Sequence, residues 1–421
     1  MAGPGLIGSM RGRTLWRLAI CALLFGGAMS PSSGIVSAAA TPASSPLAES
    51  SVPVLAYYYI WFDVPSWNRA KSDYPLLGRY SSDDPGVMRQ HVRWAKAAGI
   101  DGFIVSWKNT NQLSPRLKRL VEIARDEDFK LVIIYQGLDF ERDPLPIDQI
   151  AADLDYFTET YADDEVFDLF GKPMVIWSGT WEFSREEIAE VSGPRRDALL
   201  ILASEKQVDD YLTLADIVDG NAYYWSSVNP ETQPGYGEKL RAMADAVRDN
   251  DGLWIAPAAP GFDARLIGGT RIVARNDGET LLTQLTTALA SSPDALGIIS
   301  WNEFSENSHI EPSCDHGDKY LRTVARALGG DPPSNVGQCG EATPIPAASP
   351  VDGVDGADSV GSAEATSDFD SSTPGGTEAF GVFRALMLGM LLLSIGASAA
   401  VIARRSRALP RVDLARNGGS R

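Results

Sequence analysis

VPVLAYYYIWF, residues 52–62, is apolar at nearly every position. A strand with one wet face alternates apolar and polar residues. An unbroken apolar run of this length describes a strand covered on both faces, the pattern of parallel sheets. Seven more runs of the same kind follow: DGFIVSW (101–107), KLVIIYQ (130–136), PMVIWSG (173–179), ALLILAS (198–204), IVDGNAYYW (217–225), GLWIAPAAP (252–260) and LGIISWNEF (296–304). Amphipathic stretches separate them. Asp84-Pro85 opens the first, which stops at Gly99, and Ser114-Pro115 opens the second. The others run near 147–161, 184–191, 205–214, 237–247, 279–290 and 318–328. Eight strand–helix units in residues 50–335 predict an α/β fold, a (β/α)8 TIM barrel. An open doubly wound sheet is the alternative, but no Gly-rich phosphate turn follows the first strand.

The flanks read differently. Residues 1–40 carry Arg11, Arg13 and Arg17, then an apolar run and the small residues Ser37-Ala38-Ala39-Ala40, as in a cleaved signal peptide. Residues 340–379 hold eight acidic residues, no Lys or Arg, and much Ala, Ser, Gly and Pro, the composition of a disordered spacer. Residues 385–403 are uncharged and about 28 Å long as a helix, enough to span a bilayer core. Arg404, Arg405 and Arg407 begin a basic tail, 404–421, that belongs on the cytoplasmic side. These readings predict an exported protein with a single membrane-spanning C-terminal helix and its barrel outside.

Of 421 residues, 55 are Asp or Glu and 37 Lys or Arg, a net charge of −18. The barrel segment itself is acidic, which argues against nucleic acid as a partner. Cys21 falls in the signal. Cys314 and Cys339 remain and, outside the cytoplasm, are expected to form a disulfide.

In a (β/α)8 barrel, function sits at the C-terminal ends of the strands. Here those ends are aromatic: Trp61, Trp107, Tyr135, Trp177, Tyr224, Trp225 and Trp301. Aromatic faces around a barrel mouth suit sugar rings; core filling against the helices would use the same residues. Past the last strand, residues 299–313 read ISWNEFSENSHIEPS. On a tight turn Glu303 and Glu306, three apart, lie on one side. Two carboxyls in a partly dry site divide their roles, one protonated and one charged, as glycosidic cleavage requires. A solvated acidic loop has the same spacing.

Residues 302–312 resemble the eighth-strand motif of glycoside hydrolase family 99, the endo-α-mannosidase and endo-α-mannanase family, close to NEWxEGxxIEP. Tyr57-Tyr58-Tyr59-Ile60-Trp61-Phe62 is similar to its first-strand YYxWY, residues 99–103 (GIDGF) to its second-strand entry, and Pro260-Gly261-Phe262-Asp263 with Arg271 and Arg275 to its seventh-strand stretch. The resemblance implies a barrel, an oligosaccharide or polysaccharide substrate such as α-mannan, and retention of configuration without metal or organic cofactor. It implies that Glu303 is the base toward the sugar 2-hydroxyl, giving a 1,2-anhydro sugar, and that Glu306 protonates the leaving oxygen and then activates water. Tyr58, Trp61, Trp107, Tyr135, Trp225, Asp263, Arg275, Trp301 and Asn302 are the expected substrate ligands. Phe304 stands in place of the motif's Trp, Ser305 and Asn307 in place of its His and Gly, and Gln136-Gly137 in place of an acidic segment. Those departures, expected beside the subsites, leave the sugar open. Family 71, the α-1,3-glucanases, remains a related alternative, as do a transglycosylase and a surface lectin on the same scaffold.

Overall fold

The computed structural model describes residues 47–69, 71–333 and 336–339. The signal peptide, spacer, membrane helix and basic tail read from the sequence lie outside these residues. Among the described residues no helix is long and apolar enough to cross a membrane.

Eight strands alternate with eight helices: β1 (Val54–Tyr59), α1 (Pro85–Ala97), β2 (Gly102–Trp107), α2 (Leu113–Asp126), β3 (Lys130–Gln136), α3 (Ile147–Tyr161), β4 (Met174–Ser178), α4 (Arg185–Ser192), β5 (Leu200–Leu202), α5 (Val208–Leu214), β6 (Gly220–Ala222), α6 (Tyr236–Arg248), β7 (Leu253–Ala258), α7 (Glu279–Leu289), β8 (Ala295–Ile298) and α8 (Lys319–Leu328). The strands are parallel, in the order β5-β4-β3-β2-β1-β8-β7-β6. A parallel bridge between Ala203 and Asn221 joins β5 to β6, so the sheet closes into the (β/α)8 barrel. A short antiparallel pair, Phe262–Asp263 with Ile272–Val273, stands between β7 and α7.

Local chemistry explains the elements. At α1 the Asp84 carboxylate accepts from the Gly86 amide and Pro85 sits at the first turn, where its missing N–H costs nothing. Ser184 and Glu187 form a capping box on α4. At the barrel bottom, Asp101 before β2, Asp219 before β6 and Asp294 before β8 accept from the amides of Val54, Ile201 and Trp254 on neighbouring strands, each at 2.8 Å. These three aspartates fasten the end remote from the mouth.

Two apolar layers result. Leu55, Tyr57, Ile104, Ile134, Ile176 and Ile255 fill the barrel interior. Gly297 makes room there: a Cβ on it would stand 2.9 Å from the Tyr57 ring. The outer layer, between strands and helices, takes the opposite parity of each strand, which is why the runs have no polar face.

Cys314 and Cys339 are disulfide-bonded, with Cα atoms 5.3 Å apart. The bond ties the loop after β8 to the segment after α8 across 25 residues. Reduction is expected to lower stability by about 3 kcal/mol through the unfolded chain. Thermal melts with and without reductant check this; an unchanged midpoint on complete reduction contradicts it.

Candidate active site

Strand parity decides what reaches the mouth. Along β2, β3 and β4 the interior positions Ile104, Ile134 and Ile176 are followed two residues on by Ser106, Gln136 and Ser178, which therefore face inward at the C-terminal end. Gln136 Nε2 donates to Ser106 Oγ at 3.0 Å. Tyr59 continues the inward face of β1, and its hydroxyl meets that of Tyr224 at 2.7 Å. Trp61 stacks on Tyr59 with ring centres 4.2 Å apart.

Of the other expected aromatic ligands, Tyr58, Trp107, Tyr135 and Trp225 have the opposite parity, and Trp301, past the end of β8, also turns to the outer layer; their expectation as mouth residues is corrected. Tyr58 stacks on Phe103 and bonds His91 of α1. Trp107 packs on Phe157 of α3. The Tyr135 hydroxyl donates to Asp153, also on α3, at 3.0 Å. Trp225 packs on Tyr236 of α6, and Trp301 lies between His91 and Phe103. Each is buried in the layer between barrel and helices. Asn302 is 0% exposed, with Oδ1 accepting from the Tyr59 amide and Nδ2 donating to the Tyr59 carbonyl, both at 2.9 Å. It locks the loop after β8 to the end of β1 and so acts on the backbone.

Over residues 303–308 the chain turns back: the Ser308 amide donates to the Glu303 carbonyl at 3.2 Å, and Asn307 takes a left-handed φ of 51°. Glu303 is 2% exposed and Glu306 0%. The Glu303 amide donates to Ser300 Oγ at 2.7 Å, and its Oε1 accepts from the Ser305 amide at 2.8 Å. Burial raises the Glu303 carboxyl above its ordinary range, with Lys71 pulling the other way. The Glu306 carbonyl accepts from the Asp263 amide at 2.7 Å. The Asp263 carboxylate itself is taken up by Arg265. Arg275 donates to the carbonyls of Asn307 (2.8 Å) and His309 (2.9 Å) and lies over the Tyr320 ring. Gly261 permits this: its φ is 151° and a Cβ would stand 2.5 Å from Arg275 Cγ. Asp263 and Arg275 thus brace the turn. Phe304 is 0% exposed, stacked on His309 and edge-on to Trp67. That departure from the motif is a packing residue, which corrects its expected place beside the subsites.

The loop after β1 holds the turn from the other side. His309 Nε2 meets Asp73 Oδ2 at 3.1 Å, and Asp73 Oδ1 accepts from the Asp315 amide at 2.9 Å. Asp73, His309 and His316 bring ligand-type atoms within 4.8 Å of one another. Arg275 stands 3.5 Å from His309 Nδ1 and can only donate, which assigns the ring proton to Nε2, the atom that would face a metal. The set fits a hydrogen-bonded clamp better than a metal centre.

That clamp has a pH signature. Burial pushes His309 down to about 3 and His316 down to about 4. In the unfolded chain both titrate near ~6.5. As pH falls below that value the unfolded chain binds protons the folded state refuses, so stability falls until the folded values are reached. Burial alone would raise Asp73, but the bonds from His309 and the Asp315 amide hold it well below the carboxylate range. Its contribution is present above the unfolded value near ~3.9 and is lost below it. The denaturant midpoint is expected to fall from pH 6.5 towards 4, and His316→Gln to flatten part of that slope. A midpoint independent of pH across this window excludes the clamp.

A cavity of about 510 Å³ opens at the opposite end, by Arg196, Leu200, Asp219 and Leu253 at the starts of β5 and β7. Arg196 there is consumed by Asp219 and the Asp216 and Val218 carbonyls. Glu303 and Glu306, after the C-terminal end of β8, lie at the other face.

The model for glycosyl hydrolase family 99 matches residues 63–322. A "Glycoprotein endo-alpha-1,2-mannosidase-like protein" of Mus musculus is 25% identical over 265 residues, covering 57% of this chain and 58% of the relative. One from Danio rerio with the same description is 26% identical over 287 residues, covering 61% and 62%. The chain thus spans about three-fifths of the curated relatives it matches. Among solved structures, the family 99 endo-alpha-mannosidase of Bacteroides thetaiotaomicron superposes with a TM-score of 0.57 at 22% identity, over 66% of this chain and 96% of that one. At that identity the likeness concerns the fold. The family match covers well over half of the sequence, and the chain belongs to glycosyl hydrolase family 99.

Proposed function

We propose that the protein is a retaining glycoside hydrolase that cleaves α-linked, mannan-like glycans, with Glu303 as base toward the sugar 2-hydroxyl and Glu306 as acid and then base at the leaving oxygen. The observation that carries this reading is the turn after β8. It holds two glutamates three residues apart, both withdrawn from bulk water, with a seryl amide on Glu303 Oε1. Family membership and the relatives' descriptions as endo-alpha-1,2-mannosidase-like proteins favour a mannose-containing substrate. Attack by the 2-hydroxyl, with its proton passing to Glu303, forms the 1,2-anhydro sugar as the aglycone leaves with the Glu306 proton. Water activated by Glu306 opens the epoxide, and Glu303 returns the proton to the 2-oxygen. Two displacements at one carbon retain its configuration.

We place the barrel outside the cell, held off the membrane by the acidic spacer. Support comes from the sequence: a basic–apolar leader, the uncharged run 385–403 and the arginines after it. The test of the activity is incubation with α-mannan and with α-1,3-glucan, followed by reducing-end release. Turnover of α-mannan supports the proposal; saturable binding with no release on either glycan overturns it in favour of a lectin.

A further inference from the structure

Lys71 belongs to no motif quoted from the sequence. It stands in the loop after β1, half-buried, and its Nζ donates to Ser305 Oγ at 2.7 Å. The amide of that same serine donates to Glu303 Oε1 at 2.8 Å. A cation from one barrel loop therefore ends on the residue that orients the Glu303 carboxylate on another. We propose that Lys71 is the positioning residue of Glu303: its ammonium fixes Ser305, so that the seryl amide points at Oε1, and it sets a positive charge beside that buried carboxyl. The catalytic meaning of the role rests on the reading of Glu303 as a base, since only the ionised carboxylate can accept the 2-hydroxyl proton.

The electrostatics agree in sign from both sides. Burial lowers the Lys71 ammonium and Glu303 offsets this; burial raises Glu303 and Lys71 offsets that. The Ser305 and Glu306 amides act on the carboxyl from its own turn, and Arg69 acts on Lys71. Lys71 is a cation that acts on the Glu303 carboxyl, against the effect of burial.

The experiment follows the Glu303 carboxyl directly. The protein is labelled with carbon-13 at the glutamate carboxyls, and the Glu303 resonance is assigned by its loss in Glu303→Gln. In Lys71→Met the titration midpoint of that resonance is expected to rise by about one pH unit, the lower end of the effect of a nearby opposite charge. Lys71→Arg should restore most of the difference. Ser305→Ala keeps the amide but frees the ammonium, so a smaller upward shift is expected; it also serves if Lys71→Met does not fold. A midpoint unmoved in the folded variants overturns the inference.

Activity separates this from the proposed function. If α-mannan is cleaved, the acid limb of kcat/KM should move up with the resonance in Lys71→Met. Cleavage with an unmoved resonance removes the role of Lys71 and leaves the hydrolase standing. A moved resonance without cleavage of any glycan by the wild type removes the hydrolase and leaves the Lys71–Glu303 coupling standing.

Discussion

Glu306→Gln is expected to fold normally and to lose α-mannan turnover by about 10²- to 10⁴-fold, the range for removing a general acid or base. Glu303→Gln should lose at least as much, because without a base the 2-hydroxyl stays protonated and the anhydro sugar cannot form. The two losses should differ in kind. A glycoside with an activated aryl leaving group departs without a proton, so Glu306→Gln should recover much of its rate on it in the first step. Glu303→Gln should recover nothing, since its task lies at the 2-oxygen. Kinetics of both variants on α-mannan and on the aryl glycoside check this, with thermal melts as the folding control. Wild-type rates in either variant, or equal recovery in both, would remove the assignment of roles. The pH profile adds a sign. Burial raises the Glu303 carboxyl, so the acid limb of kcat/KM should lie above the ordinary carboxylate range.

The barrel was legible in residues 52–304 because parallel strands covered on both sides are continuously apolar and their helices are not. The same continuity conceals which residues face inward. The aromatic residues at the strand ends therefore lie largely on the outer face: Trp107 packs on Phe157 of α3 and Tyr135 bonds Asp153 there, while Ser106 and Gln136, one residue away, face inward. The signal was present. In β2, β3 and β4 the last inward position is the first polar one in an apolar run, and a polar side chain tolerated there marks the wet end of the interior. Counting by two from Ser106 or Gln136 would have separated the faces. That the chain turns back after the last strand was legible, because a turn can be read from local spacing. The supports of that turn were not. Lys71 and Asp73 come from more than 200 residues upstream, and only the closed barrel brings them to Ser305 and His309.

A third glutamate of the same motif has a different fate, and its substitution should separate structure from chemistry. Glu311 is 2% exposed and lies in the dry layer behind Trp301. Its Oε2 accepts from the Tyr80 hydroxyl at 2.9 Å and its Oε1 meets His91 Nε2 at 3.0 Å, while His91 Nδ1 meets the Tyr58 hydroxyl at 3.0 Å. One carboxylate thereby ends a chain that runs from β1 through α1 and back to the loop after β8. Glu311→Leu keeps the volume but leaves the Tyr80 hydroxyl and the His91 ring N–H without an acceptor in a layer water does not reach. At about 1–3 kcal/mol for each of the two orphaned donors, a loss of about 2–6 kcal/mol is expected. At roughly 2–4 °C per kcal/mol, the melting midpoint should fall by about 4–24 °C. Glu311→Gln still offers one oxygen, so its loss should be less than half as large. Below its lowered melting point, Glu311→Gln should keep kcat within a few-fold of wild type, because nothing in this chain of bonds touches Glu303 or Glu306. If instead Glu311→Gln melted like wild type but had lost turnover, Glu311 would be a reacting group. The division of the loop into two chemical glutamates and one structural one would then be wrong.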